Sequence, residues 1–165
     1  MRKETQRVNR GTKGLEEELK LVHMLSRRRE RVRIKRVDHV GIVVKNIYEA
    51  LSIYDKLFEF VSLVRIDILQ EQGVKVAIIP IGELEVELLE PIDPGTGIAK
   101  FLEKRGEGLH HIAFEVDDAN EGLKSLGEKG AKLIDRESWQ GLRGRTGFIH
   151  PASTKGVLIE LIQRA

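Results

Sequence analysis

The chain has 165 residues, enough to bury one compact core, and no cysteine, so neither a disulfide framework nor a thiolate metal site is open to it. Its formal charge of +2 hides a division: residues 1–36 carry thirteen Lys/Arg against five Glu (+8), and residues 37–165 carry fifteen against twenty-one Asp/Glu (−6). An acidic body argues against a general nucleic-acid surface, no apolar run is long enough to span a bilayer, and the N-terminus lacks the apolar core of a secretory signal. Neither nucleic acid nor membrane is an expected partner, and a reducing cytoplasm is the expected setting.

Residues 1–14 are polar and interrupted by Gly11 and Gly14, and are expected to be disordered. Leu15, Leu19 and Val22 then fall at helical spacing, with glutamates early and arginines late, which predicts a short helix to about Arg31. Residues 1–34 thus read as a basic extension, partly helical or disordered, and His23 within it as a surface residue.

Residues 35–165 read as one domain. The β-branched run Val37–Val44 predicts a strand, and Asn46 with Glu49 three residues later predicts a capped helix whose buried stripe is Ala50, Leu51, Tyr54, Leu57 and Phe58. Strands are expected near Phe60–Ile66, Val74–Ile79 and Leu84–Leu89, giving a βαβββ unit. Pro91, Pro94, Gly95 and Gly97 punctuate a join in which Ile98–Lys104 forms a short helix. The plan then repeats: a strand at Leu109–Val116, a helix opened by Asp118 and Glu121 and closed by Gly130, and strands near Lys132–Arg136, Thr146–His150 and Val157–Gln163. A loop, Trp139–Gly144, separates the first and second of these three strands. The fold class expected is α+β, with two βαβββ modules, residues 35–93 and 108–165, whose sheets curve into cups around a shared cleft.

The repeat is visible in the residues themselves. Asp38-His39-Val40-Gly41-Ile42 lies over His110-His111-Ile112-Ala113-Phe114, an offset of 111 − 39 = 72, and Glu87 aligns with Glu160 at 160 − 87 = 73. Two copies suit a domain built by duplication about a pseudo-twofold axis, on which equivalent side chains converge. One histidine and one carboxylate from each half would make a site for a divalent first-row metal. Alternation along the last strand places Leu158, Glu160 and Ile162 on one face, and a lone carboxylate in so apolar a strand needs a cation, a metal or an exposed cleft. Glu83, Glu85 and Glu87 share a face that could simply be wet, so the repeat alone singles out Glu87. It likewise selects His111 over His110, which strand alternation sends to the opposite face. His150, beside Pro151, and Ser153, Thr154, Lys155 and Gly156, ahead of the last strand, are candidates to hold a substrate or an anionic group. No Gly-x-Ser-x-Gly elbow supports covalent acyl transfer.

These residues resemble the vicinal-oxygen-chelate superfamily, the glyoxalase/bleomycin-resistance-like fold, and within it the methylmalonyl-CoA epimerase family. The segments that carry the resemblance are Glu71-Gln72-Gly73-Val74, Glu87-Leu88-Leu89-Glu90-Pro91, the stretch from Ile98 to His111, and Gly156-Val157-Leu158-Ile159-Glu160-Leu161. It covers about Val37 to Gln163. It implies that His39, Glu87, His111 and Glu160 are metal ligands, that Co²⁺ is the expected ion with Mn²⁺, Ni²⁺ or Zn²⁺ as alternatives, and that the substrate is a small acyl-CoA. The implied reaction is inversion at the carbon between thioester and carboxylate, and the implied assembly a homodimer. Gln72 joins His150, Ser153 and Lys155 as a substrate-binding candidate. Where some epimerases place a catalytic glutamate after Glu-Gln-Gly-Val, this chain has Val76, so Glu87 and Glu160 are expected to serve as both ligands and bases. The rival readings are a glyoxalase-I-like lyase acting on a glutathione hemithioacetal and a drug-binding protein without catalysis. An iron dioxygenase is disfavoured, because a fourth ligand leaves too few open positions for dioxygen and substrate.

Overall fold

The computed structural model describes residues 31–59 and 64–165, together with Leu19. The chain divides into two compact units, residues 1–31 and 32–165, and the second holds every strand among the described residues. The short helix expected before Arg31 lies outside the described residues apart from Leu19, which is helical.

Eight strands form one mixed sheet in the order β2-β3-β4-β1-β5-β8-β7-β6. The first half contributes β1 (Ile34–Val43), α1 (Ile47–Leu57), β2 (Arg65–Leu69), β3 (Val74–Ile81) and β4 (Leu84–Pro91). Helix α2 (Gly97–Arg105) occupies the join. The second half contributes β5 (Gly108–Val116), α3 (Ala119–Glu128), β6 (Trp139–Gln140), β7 (Gly144–Ile149) and β8 (Leu158–Arg164). The sheet is therefore the expected pair of βαβββ modules, curled into a half-barrel and joined edge to edge by the antiparallel pairing of β1 with β5.

That register places the pseudo-twofold axis. It pairs His39 with Ala113 and Gly41 with His111, while the offset of 72 carries His39 onto His111 and Gly41 onto Ala113. A half-turn about the Val40–Ile112 pair exchanges the two halves, so the two histidines flank the axis on neighbouring strands.

Both helix caps read from the sequence are formed: the Asn46 side chain accepts from the Glu49 N–H at 3.0 Å, and that of Asp118 accepts from the Glu121 N–H at 2.9 Å. Alternation along the strands then sorts side chains between the helices and the cleft. Ala77, Ile79 and Leu88 pack under Ile47, Ala50, Leu51 and Tyr54 of α1, and Ile149, Ile159 and Leu161 pack under Ala119, Leu123 and Leu126 of α3. On the opposite face Val74, Val76, Ile78 and Leu89 meet Ile98, Phe101 and Leu102 of α2.

Three expectations need correction. Leu57 and Phe58 do not continue the α1 stripe; the helix ends at Leu57, Phe58 turns extended, and both are exposed, while Ile47 is buried instead. The strand expected near Phe60–Ile66 is found as β2, Arg65–Leu69, with residues 60–63 outside the described set. The segment Lys132–Arg136 forms only a single bridge, Leu133 to Ile149, because the Asp135 carboxylate accepts the Phe148 N–H at 2.9 Å and displaces the main-chain ladder. A short strand, β6, appears instead at Trp139–Gln140, inside the expected loop.

Candidate metal centre

Four side chains from four strands converge in the cleft. His39 stands on β1, Glu87 on β4, His111 on β5 and Glu160 on β8, each more than nine-tenths buried. The two imidazole Nε2 atoms are 3.0 Å apart. Glu160 Oε2 lies 3.2 Å from His39 Nε2 and 3.0 Å from His111 Nε2, and Glu87 Oε2 lies 3.4 Å from His39 Nε2. Ligands at about 2.1 Å from a common centre stand about 3.0–3.4 Å from one another in octahedral or tetrahedral arrangements, which is the spacing found here. Two imidazoles and a carboxylate suit a divalent metal in chemistry, and the donor atoms of His39, Glu87 and His111 all fall within 4.8 Å of one another, with Glu160 Oε2 beside both imidazoles.

Local sequence builds the approach. A Cβ at Gly41 would lie 2.2 Å from His111 Cε1, so the His111 ring occupies space that only glycine leaves open. The ladder between β1 and β5 skips one residue between Val37 and His39 and one between Leu109 and His111. The skipped residues are Asp38 and His110, and each bulge turns its side chain toward the ligand that follows. This corrects the expectation that His110 faces away from the cleft: it lines the cleft beside His111.

Outer partners hold His39, Glu87 and Glu160. Asp38 Oδ2 accepts from His39 Nδ1 at 2.9 Å, while Arg164 holds Asp38 through two bonds of 2.7 and 3.1 Å and Arg36 through one of 3.1 Å. Burial opposes the charge on Asp38, but bonds from His39 and Arg164 hold its carboxyl well below the usual range. Burial likewise opposes the charge on Glu160, and its bonds with His111 and His39 outweigh that cost. The Thr146 hydroxyl donates to Glu160 Oε1. Arg143 Nη2 lies 2.7 Å from Glu87 Oε1, an ion pair rather than a directed hydrogen bond, and Arg143 also pairs with Glu85. Glu85 and Glu87 thus form no wet face; both meet guanidinium groups.

The four side chains open into a cavity of about 580 Å³ whose walls are mostly apolar, among them Leu69, Val74, Leu89, Phe101, Leu142 and Ile162. Gln72 lines it too. His150, Ser153 and Lys155 are not among its lining residues. His150 caps the turn Pro151–Ser153 by accepting the Ala152 N–H at 3.0 Å, Ser153 accepts the Lys132 N–H at 2.7 Å, and Lys155 takes a left-handed backbone conformation in the following loop. Sequence does not single out Asp38, Arg143, Thr146 or Arg164. Asp38 has a signal, since the repeat sets it over His110; the others are placed only by strand register and loop path.

Residues 38–148 match the family model of the glyoxalase/bleomycin resistance protein/dioxygenase superfamily. The chain belongs to that superfamily. It is 40% identical over 131 residues to the uncharacterised protein YqjC of Bacillus subtilis, covering 79% of this chain and 93% of that one. It is 33% identical over 135 residues to the mitochondrial methylmalonyl-CoA epimerase of Bos taurus, covering 78% and 74%. Among solved structures, a Streptomyces coelicolor methylmalonyl-CoA epimerase variant in complex with 2-nitronate-propionyl-CoA superposes with a TM-score of 0.75 at 32% identity, covering 81% of this chain and 96% of that one. Among the described residues, no helix is long and apolar enough to cross a membrane.

Proposed function

We propose that this member of the superfamily epimerises methylmalonyl-CoA at a divalent-metal centre held by His39, Glu87, His111 and Glu160, with Co²⁺ as the expected ion. The observation that carries the reading is the pair of carboxylates, one from each half, whose Oε2 atoms lie 3.4 Å (Glu87) and 3.2 Å (Glu160) from His39 Nε2. Similarity to named epimerases supports the choice of substrate.

Inversion breaks the bond between hydrogen and the carbon that lies between thioester and carboxylate, and re-forms it on the opposite face, with no net redox change. A bound divalent ion supplies charge stabilisation for the enolate formed in between. Glu160 accepts the proton on one face and Glu87 delivers on the other a proton it has drawn from solvent, to which Glu160 releases its own before the next turnover, roles that a pseudo-twofold pair of carboxylates suits. Asp38 and His110 hold the imidazoles in orientation, and the apolar walls keep water from the exposed carbanion.

The test is activity of Glu87→Gln and Glu160→Gln, each loaded with Co²⁺ and checked for metal content. Each variant should lose inversion by about two orders of magnitude or more, the scale of acid–base contributions, while still exchanging the α-proton of one enantiomer with solvent. Full inversion by metal-loaded Glu87→Gln would remove Glu87 as the second base.

A further inference from the structure

The two carboxylates are held by different means, and the strand register shows why. On β7 and β8, Phe148 pairs with Glu160 and Thr146 with Ile162; on β3 and β4, Ile78 pairs with Glu87 and Val76 with Leu89. Val76 is therefore the pseudo-twofold mate of Thr146, and both line the cleft. Thr146 gives Glu160 a hydroxyl donor. Val76 has none to give Glu87, yet Glu87 is 8% exposed and its outer oxygen needs a partner.

Arg143 supplies it from the other half. Its side chain is nine-tenths buried, lines the cavity and reaches across the sheet to Glu87 Oε1 at 2.7 Å. The loop that carries it is tightly constrained: the Gly141 N–H donates to the Gly144 carbonyl at 2.8 Å, and the Ala165 N–H to the Arg143 carbonyl at 3.2 Å. At Gly144, with φ of +147°, a Cβ would meet the Gln163 carbonyl oxygen at 2.0 Å. We propose that Arg143 is a positioning residue that does for Glu87 what Thr146 does for Glu160, turning Glu87 Oε2 toward the imidazoles. One carboxylate is thereby fixed by a cation and its mate by a neutral hydroxyl.

This inference rests on the reading of the four side chains as a metal centre. Its test is Co²⁺ binding by the full chain, followed by calorimetry and by the visible absorption of bound Co²⁺, in Arg143→Gln, Arg143→Lys, Glu87→Gln and the double variant Glu87→Gln/Arg143→Gln. Outer partners of ligands are worth about 10–100-fold in metal affinity, so Arg143→Gln should weaken Co²⁺ by that factor and alter the absorption, and Arg143→Lys should restore part of both. Arg143 Nη1 also lies 3.4 Å from His39 Nδ1 and 3.5 Å from Asp38 Oδ2, and the double variant separates the two routes: adding Arg143→Gln to Glu87→Gln should cost less than Arg143→Gln costs alone, and an equal cost in both backgrounds would overturn positioning through Glu87. Co²⁺ uptake by Arg143→Gln and Arg143→Lys that matches the unchanged chain in affinity and absorption would overturn this inference alone. Absence of Co²⁺ uptake by the unchanged chain would overturn the metal reading and the inference together.

Discussion

Asp38 and His110 stand in the same place in the two halves, each one residue before a histidine of the candidate metal centre, and each meets the Nδ1 of that histidine, at 2.9 and 3.0 Å. Matching bulges in β1 and β5 put them there. With a metal on the Nε2 of each imidazole, each Nδ1 would carry the proton and donate it outward, to a carboxylate from His39 and to a ring nitrogen from His111. Burial and the neighbouring His111 push His110 down to about 4, so its ring is neutral and able to accept. One imidazole is thus backed by an anion and the other by a neutral ring.

This asymmetry predicts unequal costs. Asp38→Asn should weaken Co²⁺ binding by about 10–100-fold, and His110→Gln, which keeps a neutral acceptor, by less than about tenfold. Calorimetric titration of both variants checks the order; equal losses would show that the charge on Asp38 adds nothing.

A second prediction comes from the close approach of β1 to the His111 ring. Gly41→Ala puts a methyl 2.2 Å from His111 Cε1, so the ring must move. Overpacking of this kind costs about 1–3 kcal/mol, read as a lower Tm, and metal affinity should fall at least about tenfold with it. Unchanged affinity would mean that the His111 position is not needed for binding.

Protonation gives a third. Burial works against a charge on His39, but bonds to Asp38 and Glu160 and the nearby Glu87 charge push it up to about 9, against an ordinary 6.5. The metal-free protein therefore carries a proton there near neutral pH, and metal uptake must expel it. Affinity should rise with pH and level off above about 9. In the metal-free protein the raised value stabilises the fold fully below about 6.5, and that contribution is lost as pH rises through about 9. Titrations in buffers of different ionisation enthalpy measure the released proton; a heat independent of buffer contradicts proton release.

A fourth separates folding from function. Leu123 is fully buried between α3 and the sheet, on the face away from the cleft. Leu123→Ala should cost about 2–5 kcal/mol of stability with Co²⁺ affinity unchanged in the folded protein, measured by denaturant unfolding and calorimetry on the same sample.

Much of the fold is legible in the chain because duplication writes the pseudo-twofold axis into sequence. The offset that sets His39 over His111 and Glu87 over Glu160 becomes, through the β1–β5 register, the convergence of all four side chains. Period-two alternation sorts Glu160 from Ile159 and Leu161, and side-chain caps mark α1 and α3. What alternation cannot show is a bulge: it sends His110 to the far face because one unpaired residue reverses the count. Arg143 and Thr146 are hidden for another reason. Their contacts depend on which residue of β7 opposes which of β8 and on a loop whose course Gly144 decides, neither of which has a periodic signature. The segment Lys132–Arg136 reads as a strand, but Asp135 replaces the ladder with a side-chain bond.

On the proposed reading, a divalent metal held among His39, Glu87, His111 and Glu160 makes the α-proton of a malonyl-type thioester exchangeable, and NMR of methylmalonyl-CoA in D₂O tests this with the protein stripped by chelator and then reloaded with Co²⁺. Exchange that disappears on stripping and returns on reloading is the predicted result. Folded, metal-loaded protein that leaves the α-proton in place would contradict it.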